Sequence, residues 1–412
     1  MNRFCEYFLN NSGWRIGVLI LTCLAGVPAV AAPQADTEKL ANANTAFGFD
    51  LLKQAAGGQR GKNIFLSPYS VSSALQMVCN GAAGQTKLEM ENVLHTAGLK
   101  PDALNAAYKD LDQSIRSETN AVLNIANSIW YRRGIELKPE FASVNRNFYG
   151  AKLDALDFGD PKSADIINAW ADGSTHGRIK DVIRPPIDPA TSVILANAIY
   201  FKGAWENKFE KSLTKARTFH LQVGTQKQTP MMEQHRKFYY QRGNGFQAVR
   251  LPYAGGHLGM YVFLPDTNSS LDKLIATLNG DEWQKIVRQF RDTEGTVMLP
   301  KFKMDYDVGL NKPLQSLGMR SAFNRTADFS AMSSKPLFVS EVKQKSFVEV
   351  NEAGTEAAAV TTVTMQRMAA VQQPKPFEMI VDHPFLFMIC DTTGYAQSIL
   401  FLGIIVEPVA GS

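Results

Sequence analysis

The residues that could carry out catalysis are spread through the chain without a recognisable arrangement. No Gly-x-Ser-x-Gly sequence occurs that would place a nucleophilic serine on a tight turn. The six histidines are scattered, and neither an HExxH nor a CxxC pattern is present to bind a metal ion. We therefore predict that the protein is not an enzyme and that it needs no metal or other cofactor.

Two glycine-rich stretches come close to nucleotide-binding motifs but lack essential features. In residues 57–62 (GGQRGK) the glycine spacing is one residue short of a phosphate-binding loop, and Asn63 stands where Ser or Thr would hold the metal ion. Residues 243–248 (GNGFQA) match GxGxxA, but a strand pattern rather than a helix follows them. We expect a turn at each place and no nucleotide site.

Residues 349–370, EVNEAGTEAAAVTTVTMQRMAA, combine two competing local preferences. The alanines favour a helix, whereas the Val/Thr run favours a strand. Gly354 provides a pivot because it lacks a Cβ. At the spacing of a strand, one face is small near Gly354 and larger further on: Thr355, Ala357, Ala359, Thr361, Val363 and Met365. We predict an exposed loop in one state and a buried strand in another; the alternative is a surface loop that leads into an edge strand.

Composition and charge limit the kinds of partner. Of the 412 residues, 45% are hydrophobic and 20% are charged, which is an ordinary balance for a globular protein. The formal net charge of +4 is small for a chain of this length. It gives no reason to expect nucleic acid or a membrane surface as a partner.

Residues 1–31 have the features of a secretory signal peptide. Arg3 and Arg15 supply positive charge, residues 16–27 form an apolar core, and the small residues at 29–31 (AVA) offer a cleavage site before Ala32. The alternative is an uncleaved membrane anchor, but the apolar run is short for a membrane span. We predict a secreted, extracellular protein, or a periplasmic or cell-surface one if the source is bacterial.

Cys79 and Cys390 are the cysteines that remain after the predicted signal peptide, because Cys5 and Cys23 lie within it. A secreted chain with two cysteines could form one disulfide. Both residues lie in apolar runs, LQMVCNG and FLFMICD. This setting favours buried free thiols over a bridge.

The hydrophobic pattern predicts a mixture of helices and strands, and hence an α+β fold. An opening helix is expected at 36–55. Residues 63–94 predict a buried strand, a break at Pro68 and two helices. Residues 192–201 (SVILANAIYF) predict a strand buried on both faces, and residues 271–290 predict a helix. Three apolar strands are predicted near the end of the chain.

Several of these stretches resemble the serpins, a family of serine-protease inhibitors. EVNEAGTEAAAVTTV resembles the serpin hinge, NIFLSPYSVSSALQMVCNGAAG resembles the helix B region, and SVILANAIYF followed by KGAWENKF resembles the third strand of the central sheet. The similarity extends in matching order from about residue 40 to 408. Together with the signal peptide predicted at 1–31, it implies one serpin domain at 32–412. That domain would have three β-sheets, about eight or nine helices and an exposed reactive-centre loop at about 352–376.

The resemblance also implies roles for individual residues. The hinge would consist of Glu352, Gly354, Thr355, Glu356, Ala357, Ala358 and Ala359. The shutter beneath the central sheet would contain Ser67, Ser70, Asn197 and Gln344, and the breach would contain Trp205. Gln344 stands where many serpins have histidine. Glutamine both donates and accepts hydrogen bonds, so we expect the polar cluster to survive without the pH sensitivity of histidine.

The implied function is suicide inhibition of a serine protease. The protease would cleave the loop, become esterified to its new carboxyl end, and be trapped as the hinge inserts into the central sheet. The commonest family spacing places the cleaved bond at Met368–Ala369, which suits elastase-, chymotrypsin- or subtilisin-like enzymes. A loop shorter by one places it at Arg367–Met368, which suits trypsin-like enzymes.

Other partners and functions follow from the same resemblance. A cysteine protease is a further possible target, and we expect a monomer without a heparin site. The alternative function is that of a non-inhibitory serpin with a carrier, chaperone or storage role. Such serpins usually have bulky, charged or proline residues in the hinge, and the inserting face of this hinge (Thr355, Ala357 and Ala359) has none.

Overall fold

The structure is a computed structural model, and it describes residues 32–116, 121–222, 224–355, 376–392 and 397–411. The predicted signal peptide at 1–31 lies outside the described residues.

Nine α-helices occur in the described part of the chain and place the fold in the predicted α+β class. They are α1 (Ala32–Gly58), α2 (Pro68–Cys79), α3 (Gly84–Val93), α4 (Pro101–Arg116), α5 (Pro139–Tyr149), α6 (Lys162–Ser174), α7 (Leu271–Thr277), α8 (Gly280–Val287) and α9 (Asn311–Leu317). Two short 3₁₀ turns accompany them at Lys211–Leu213 and Ser321–Phe323.

The strands of the same residues are β1 (Ile64–Leu66), β2 (Ala121–Arg132), β3 (Lys152–Leu156), β4 (Val193–Ala204), β5 (Lys215–His220), β6 (Gln226–Arg242), β7 (Phe246–Pro252), β8 (Leu258–Pro265), β9 (Arg291–Pro300), β10 (Phe302–Gly309), β11 (Val339–Asn351), β12 (Gly354–Thr355), β13 (Phe377–Ile380), β14 (Phe385–Asp391) and β15 (Ile399–Ile405).

Hydrogen bonds join these strands into two networks. Nine strands form one, in the order β1-β15-β14-β8-β7-β6-β9-β13, with β5 paired to β6. The strand β6 has 17 residues and is shared: its first part pairs with β5 and its last residues pair with β7. Two of the three expected sheets are thus continuous through β6. The other network has six strands, in the order β10-β11-β12-β4-β2-β3.

The main hydrophobic core lies between the two networks. The two faces of β4 contact different hydrophobic clusters, of which this core is the larger. Val193, Leu195, Ile199 and Phe201 of β4 pack into this core, together with α1, α2 and the C-terminal strands. The alternate residues of β4 pack into a smaller cluster with α6 on the outer face. Burial on both faces explains the continuous apolar sequence of β4 and confirms its prediction as a strand.

The element predictions were correct in kind and imprecise at their ends. The opening helix, the 63–94 block and the three C-terminal strands are confirmed. The helical structure predicted at 271–290 is confirmed, and it is divided into two helices, α7 and α8. The Asn279 side chain accepts a hydrogen bond from the Glu282 amide at 2.9 Å and begins α8, which ends α7 before it.

The thiols of Cys79 and Cys390 are both free and buried. This confirms the preferred sequence interpretation over a bridge between them. Burial raises the pKa of Cys79 to about 12 and raises that of Cys390 as well, so both remain protonated and unreactive at neutral pH. Among the described residues, no helix is both long enough and apolar enough to span a membrane.

Candidate functional site

The candidate site is the seam between β4 and β11 in the six-stranded network. Along its closed stretch the two strands pair directly and in parallel, from Val193 with Val339 to Tyr200 with Phe347. Beyond these pairs the strands separate, and β12 lies between them at the open end. The seam therefore has one part that is shut and one part that already holds a third strand.

At the open end, β12 pairs with both neighbours in antiparallel fashion. Thr355 lies opposite Gly203 of β4 and Val350 of β11, and Gly354 lies opposite Ala204 and Asn351. Thr355 is fully buried. The first two residues of the predicted inserting segment are thus already inside the sheet.

Only glycine fits at position 354. Its backbone has a φ of +145°, and a Cβ there would lie 2.2 Å from the carbonyl oxygen of Gly203 and 2.8 Å from the amide nitrogen of Trp205. Side-chain-bearing residues rarely adopt this φ, and the neighbouring atoms are backbone atoms that cannot rotate away. Gly354 therefore permits the close approach that puts β12 between β4 and β11.

Aromatic rings support the open end. Trp205 stacks on Tyr253 with ring centroids 4.7 Å apart. The indole N–H of Trp205 donates to the carbonyl of Asn351 at 3.0 Å, and its backbone N–H donates to the carbonyl of Ala353 at 3.0 Å. The hydroxyls of Tyr253 and Thr355 are 2.8 Å apart and share a hydrogen bond. Trp205 therefore holds the turn before β12, and Tyr253 holds β12 itself.

Glu352 anchors the same turn through charge. Its side chain is almost fully buried and lies 3.0 Å from the Lys301 ammonium, and it accepts a hydrogen bond from the Thr214 hydroxyl at 2.9 Å. Burial by itself would raise the pKa of Glu352. Hydrogen bonds from its own amide, Lys301 and Thr214, together with the Lys301 charge, outweigh burial and lower that pKa. The carboxylate is therefore charged at neutral pH.

A buried polar cluster joins the two strands in the middle of the closed stretch. Gln344 of β11 lies beside Asn197 of β4 and donates to its side-chain oxygen at 2.8 Å. Gln344 also accepts from the amide of Ser67 at 3.0 Å and donates to the Ser67 carbonyl at 3.2 Å. Asn197 donates to the Ser70 hydroxyl and, at 2.6 Å, to Asn127 of β2.

The helix α2 supplies the other side of this cluster because it begins beneath the seam. Ser67 caps α2, accepting from the amide of Ser70 at 3.3 Å, and its hydroxyl donates to the carbonyl of Leu400 in β15 at 2.7 Å. Asn127 continues the network to the Ser73 hydroxyl at 3.2 Å. The cluster thus ties β2, β4, β11, β15 and α2 together through neutral groups.

The predicted site residues fall into two groups along the same seam. Ser67, Ser70, Asn197 and Gln344 meet in the polar cluster, whereas Trp205 contacts the turn that leads to Gly354 and Thr355. Asn197 and Gly203, the residue of β4 opposite Thr355, are six residues apart along the strand, or roughly 20 Å. Other predicted residues lie outside the described part of the chain: Glu356, Ala357, Ala358, Ala359, Arg367, Met368 and Ala369.

Sequence reasoning did not identify Lys301, Thr214, Tyr253 or Asn127. Asn127 had a detectable signal, because it is an amide within the mostly apolar strand sequence NIANSIW. Lys301 and Thr214 have no such signal, since only the fold brings them to Glu352. Tyr253 looks like an ordinary core residue until its hydroxyl is seen beside Thr355.

Comparisons with known proteins show the family and the fold of the chain. The model of the family described as Serpin (serine protease inhibitor) matches residues 42–408. An uncharacterized serpin-like protein of Thermococcus kodakarensis is 37% identical over 376 residues, covering 90% of this chain and 86% of that protein. Leukocyte elastase inhibitor of Sus scrofa is 35% identical over 385 residues, covering 90% and 100%. The structure of the thermophilic serpin tengpin in the native state matches with a TM-score of 0.81 at 30% identity, covering 89% of this chain and 94% of that one.

Proposed function

The chain belongs to the serpin family, and we propose that it is a secreted suicide inhibitor of serine proteases. The placement of β12 supports this most directly. A strand that starts between β4 and β11 can lengthen only by separating the closed stretch, and the residues that follow Glu356, AAAVTTV, are small or favour strands. The seam is thus prepared to take in the rest of the hinge.

The proposed reaction traps the protease at an intermediate step. The protease serine attacks the carbonyl carbon of the bait residue and forms an ester with it, and its proton passes to the amine of the departing C-terminal piece. The freed N-terminal side then inserts between β4 and β11 and carries the enzyme with it. Before cleavage the loop is tethered at both ends, so the native fold is held kinetically.

The bait is Met368 or Arg367, as the two family spacings require. Met368 fits an apolar pocket such as that of an elastase-like protease, and Arg367 fits the carboxylate-containing pocket of a trypsin-like protease. The relative from Sus scrofa is named as an inhibitor of leukocyte elastase. On our proposal, either class of serine protease attacks the loop of a single-domain inhibitor that comprises residues 32–412.

A denaturing gel tests the inhibitory function. The mature protein is mixed separately with trypsin and with pancreatic elastase, and we expect a covalent band heavier than either partner with at least one of them. A catalytically inactive Ser→Ala form of each protease is the control and should give no such band. Cleavage without a heavier band for both enzymes would contradict inhibition and favour the carrier, chaperone or storage alternative.

The mass of the released peptide identifies the bait. A peptide that begins with Ala369 assigns Met368, and one that begins with Met368 assigns Arg367. The N-terminal sequence of protein collected from the medium tests secretion: cleavage after residue 31 gives a chain that begins at Ala32. Recovery only inside the cell, with the first 31 residues retained, would contradict the signal peptide.

A further inference from the structure

The strand β13 follows the predicted reactive-centre loop directly and is held along one side only. Its four residues lie at the end of the nine-stranded network and, among the described strands, pair only with β9, from Phe377 with Gly295 to Ile380 with Met298. So short an edge strand makes few backbone hydrogen bonds, and such strands open locally at a low free energy. Side-chain contacts at its two ends therefore decide how firmly β13 is held.

Aromatic packing holds the first end of β13. The ring of Phe377 stacks on Tyr240 of β6, with centroids 3.8 Å apart and 10° between the ring planes. It also covers Gly295 of β9, where a Cβ would lie 2.2 Å from the ring. Burial raises the pKa of Tyr240, so its phenol stays neutral through the neutral pH range. This end is thus held in a way that does not depend on pH near neutrality.

The imidazole of His383 holds the other end of β13. Its Nδ1 lies 2.7 Å from a carboxylate oxygen of Asp382, and its Nε2 lies 2.8 Å from the backbone carbonyl oxygen of Pro265, the last residue of β8. We call these two contacts the imidazole clasp. The side chain of His383 is 24% exposed, so the clasp is partly shielded from water. It joins the chain just after β13 to a strand in the middle of the network.

Both partners of the ring are hydrogen-bond acceptors. An ionised carboxylate and a backbone carbonyl have no hydrogen to donate. A neutral imidazole has one N–H and can donate to only one of them, whereas the imidazolium has two and can donate to both. The clasp is therefore complete only when His383 is protonated.

The surroundings of the clasp favour the protonated ring. Burial by itself would lower the pKa of His383. The hydrogen bonds to Asp382 and to the Pro265 carbonyl, together with the negative charges of Asp382 and Asp266, outweigh burial and raise this pKa above its ordinary value of 6.5.

Other charged groups reach the same place from neighbouring strands. Arg242 of β6 forms two contacts of 3.0 Å with Asp266, and Glu378 of β13 lines the cleft beside the clasp. His220, at the end of β5, donates from its amide to the carbonyl of Asp382 at 2.7 Å, and its own side chain is exposed to solvent. Three carboxylates and one guanidinium thus line this cleft, an excess of negative charge that stabilises an imidazolium.

We propose that protonated His383 is a positioning residue for the inhibitory reaction, because it holds β13 and thereby the C-terminal tether of the loop. The inference rests on the proposed function, in which the loop stays tethered at both ends until the protease cuts it. Loss of the proton removes one of the two hydrogen bonds and the attraction to the carboxylates. β13 is then released more often, and the barrier that holds the native fold falls.

The direction of the pH effect follows from the raised pKa. The stabilisation of β13 is fully present below pH 6.5, the ordinary value, and is lost as the pH rises through the pKa of His383 in the folded protein. The equilibrium between held and released β13 changes tenfold for each unit by which the two pKa values differ.

The clasp is tested first without a protease. In protein labelled at its histidines, NMR measures the pKa of each ring, and loss of one signal in His383→Gln assigns His383; we expect its pKa to lie above 6.5. Hydrogen exchange of a peptide covering 376–381 is then compared with that of 385–391 in β14, after correction for intrinsic exchange. In the wild type we expect protection of 376–381 to fall above the pKa of His383, by the factor that the NMR titration gives.

His383→Gln should show low protection of 376–381 on both sides of this pKa, because glutamine does not titrate. His220→Gln is the matched control, since it replaces the exposed histidine beside Asp382, and it should keep the pH dependence of the wild type. A pKa of His383 at or below 6.5, or a pH dependence that persists in His383→Gln, would overturn the clasp.

Protease capture tests the role of the clasp in the reaction. Wild-type protein is left to stand below and above the pKa of His383, returned to one pH, and mixed with protease. We expect the covalent band to decline sooner after standing above the pKa, and His383→Gln to decline at the faster rate at both. Equal decline of the wild type at both would refute the positioning role. If fresh wild type forms no covalent band, the inhibitory function fails, while the NMR and exchange results still decide whether the clasp exists.

Discussion

The open end and the closed stretch of the seam are held together by different kinds of interaction. At the open end, where β4 and β11 are already apart, a glycine fits against backbone atoms, and rings and an ion pair hold the turn. In the closed stretch the strands touch, and neutral amides and hydroxyls join them. The open end is thus fixed by shape and charge, whereas the part that would separate on our proposal is held by hydrogen bonds between neutral groups.

The largest effect is expected from placing a side chain at the open end. Gly354→Val puts a branched Cβ at 2.2 Å from the Gly203 carbonyl oxygen in a backbone conformation that valine rarely adopts. Such strain costs about 1–3 kcal/mol before any clash is counted, so we expect protease capture to fall at least tenfold. The heavier band on a denaturing gel measures capture.

Gly309→Val is the matched control, because this glycine is in β10 of the same sheet and a Cβ there would have open space around it. It should capture protease like the wild type. Equal capture by Gly354→Val would show that β12 need not lie between the strands, and the contrast between the two ends would lose its basis.

In the closed stretch, we expect Gln344→Leu to lower the free energy of unfolding of the intact protein. Leucine cannot bond the amide and carbonyl of Ser67 or the side-chain oxygen of Asn197, and all three are buried. At about 1–3 kcal/mol for each unsatisfied group, less any relief by relaxation, we expect the free energy of unfolding to fall by about 3 kcal/mol. Urea denaturation measures it. Gln315→Leu, at an exposed position of α9, should have little effect, and a similar loss in both would contradict the role of the cluster.

A smaller effect is expected from one hydroxyl at the open end. Tyr253→Phe keeps the ring that stacks on Trp205 and removes the hydrogen bond to Thr355, which is worth about 1 kcal/mol. We expect faster hydrogen exchange of a peptide that covers 350–355. Tyr261→Phe removes another buried hydroxyl, bonded to Gln397 at 3.3 Å, and should leave that peptide unchanged. Unchanged exchange in Tyr253→Phe would show that the backbone alone holds β12.

The smallest effect concerns pH, which should separate the two ends. The pKa of Glu352 in the folded protein lies below its ordinary value of 4.5, so its contribution to stability is present above pH 4.5 and is lost as the pH falls through the lower folded value. The amides and hydroxyls that join the closed stretch do not titrate. As the pH is lowered below 4.5, we expect the protection of 350–355 to fall relative to that of 344–347, after correction for intrinsic exchange.

Glu352→Gln is the control for this pH effect. The variant removes the charge, so the protection of 350–355 should no longer change across this range more than that of 344–347. A pH dependence that persists in the variant would assign the effect to other carboxylates and remove Glu352 from the account.

The sequence was sufficient for the elements and for the polar residues that interrupt them. Asn197 stands out within SVILANAIYF, and Gly354 before a run of alanines marks a backbone with unusual freedom. Family resemblance added Gln344 and Ser67 to the same cluster. Local patterns therefore indicated which residues matter but not which of them touch.

What the sequence could not provide is register and long-range partners. The pairing of β4 with β11 joins residues about 150 positions apart, and the Lys301–Glu352 contact depends on two loops that only the packed core brings together. These facts result from packing of the whole chain, so no window of sequence contains them.

The parallel pairing of β4 with β11 has a consequence for how many times one molecule of the protein can act. A new strand between them would replace one parallel ladder of hydrogen bonds by two antiparallel ladders. Two ladders contain more hydrogen bonds than one, and antiparallel pairing is slightly more stable per residue than parallel pairing. No step of the proposed reaction restores the original ladder once the loop is cut. Each molecule would therefore work once, and the amount of protease neutralised would depend on how many copies are made rather than on how fast any copy acts.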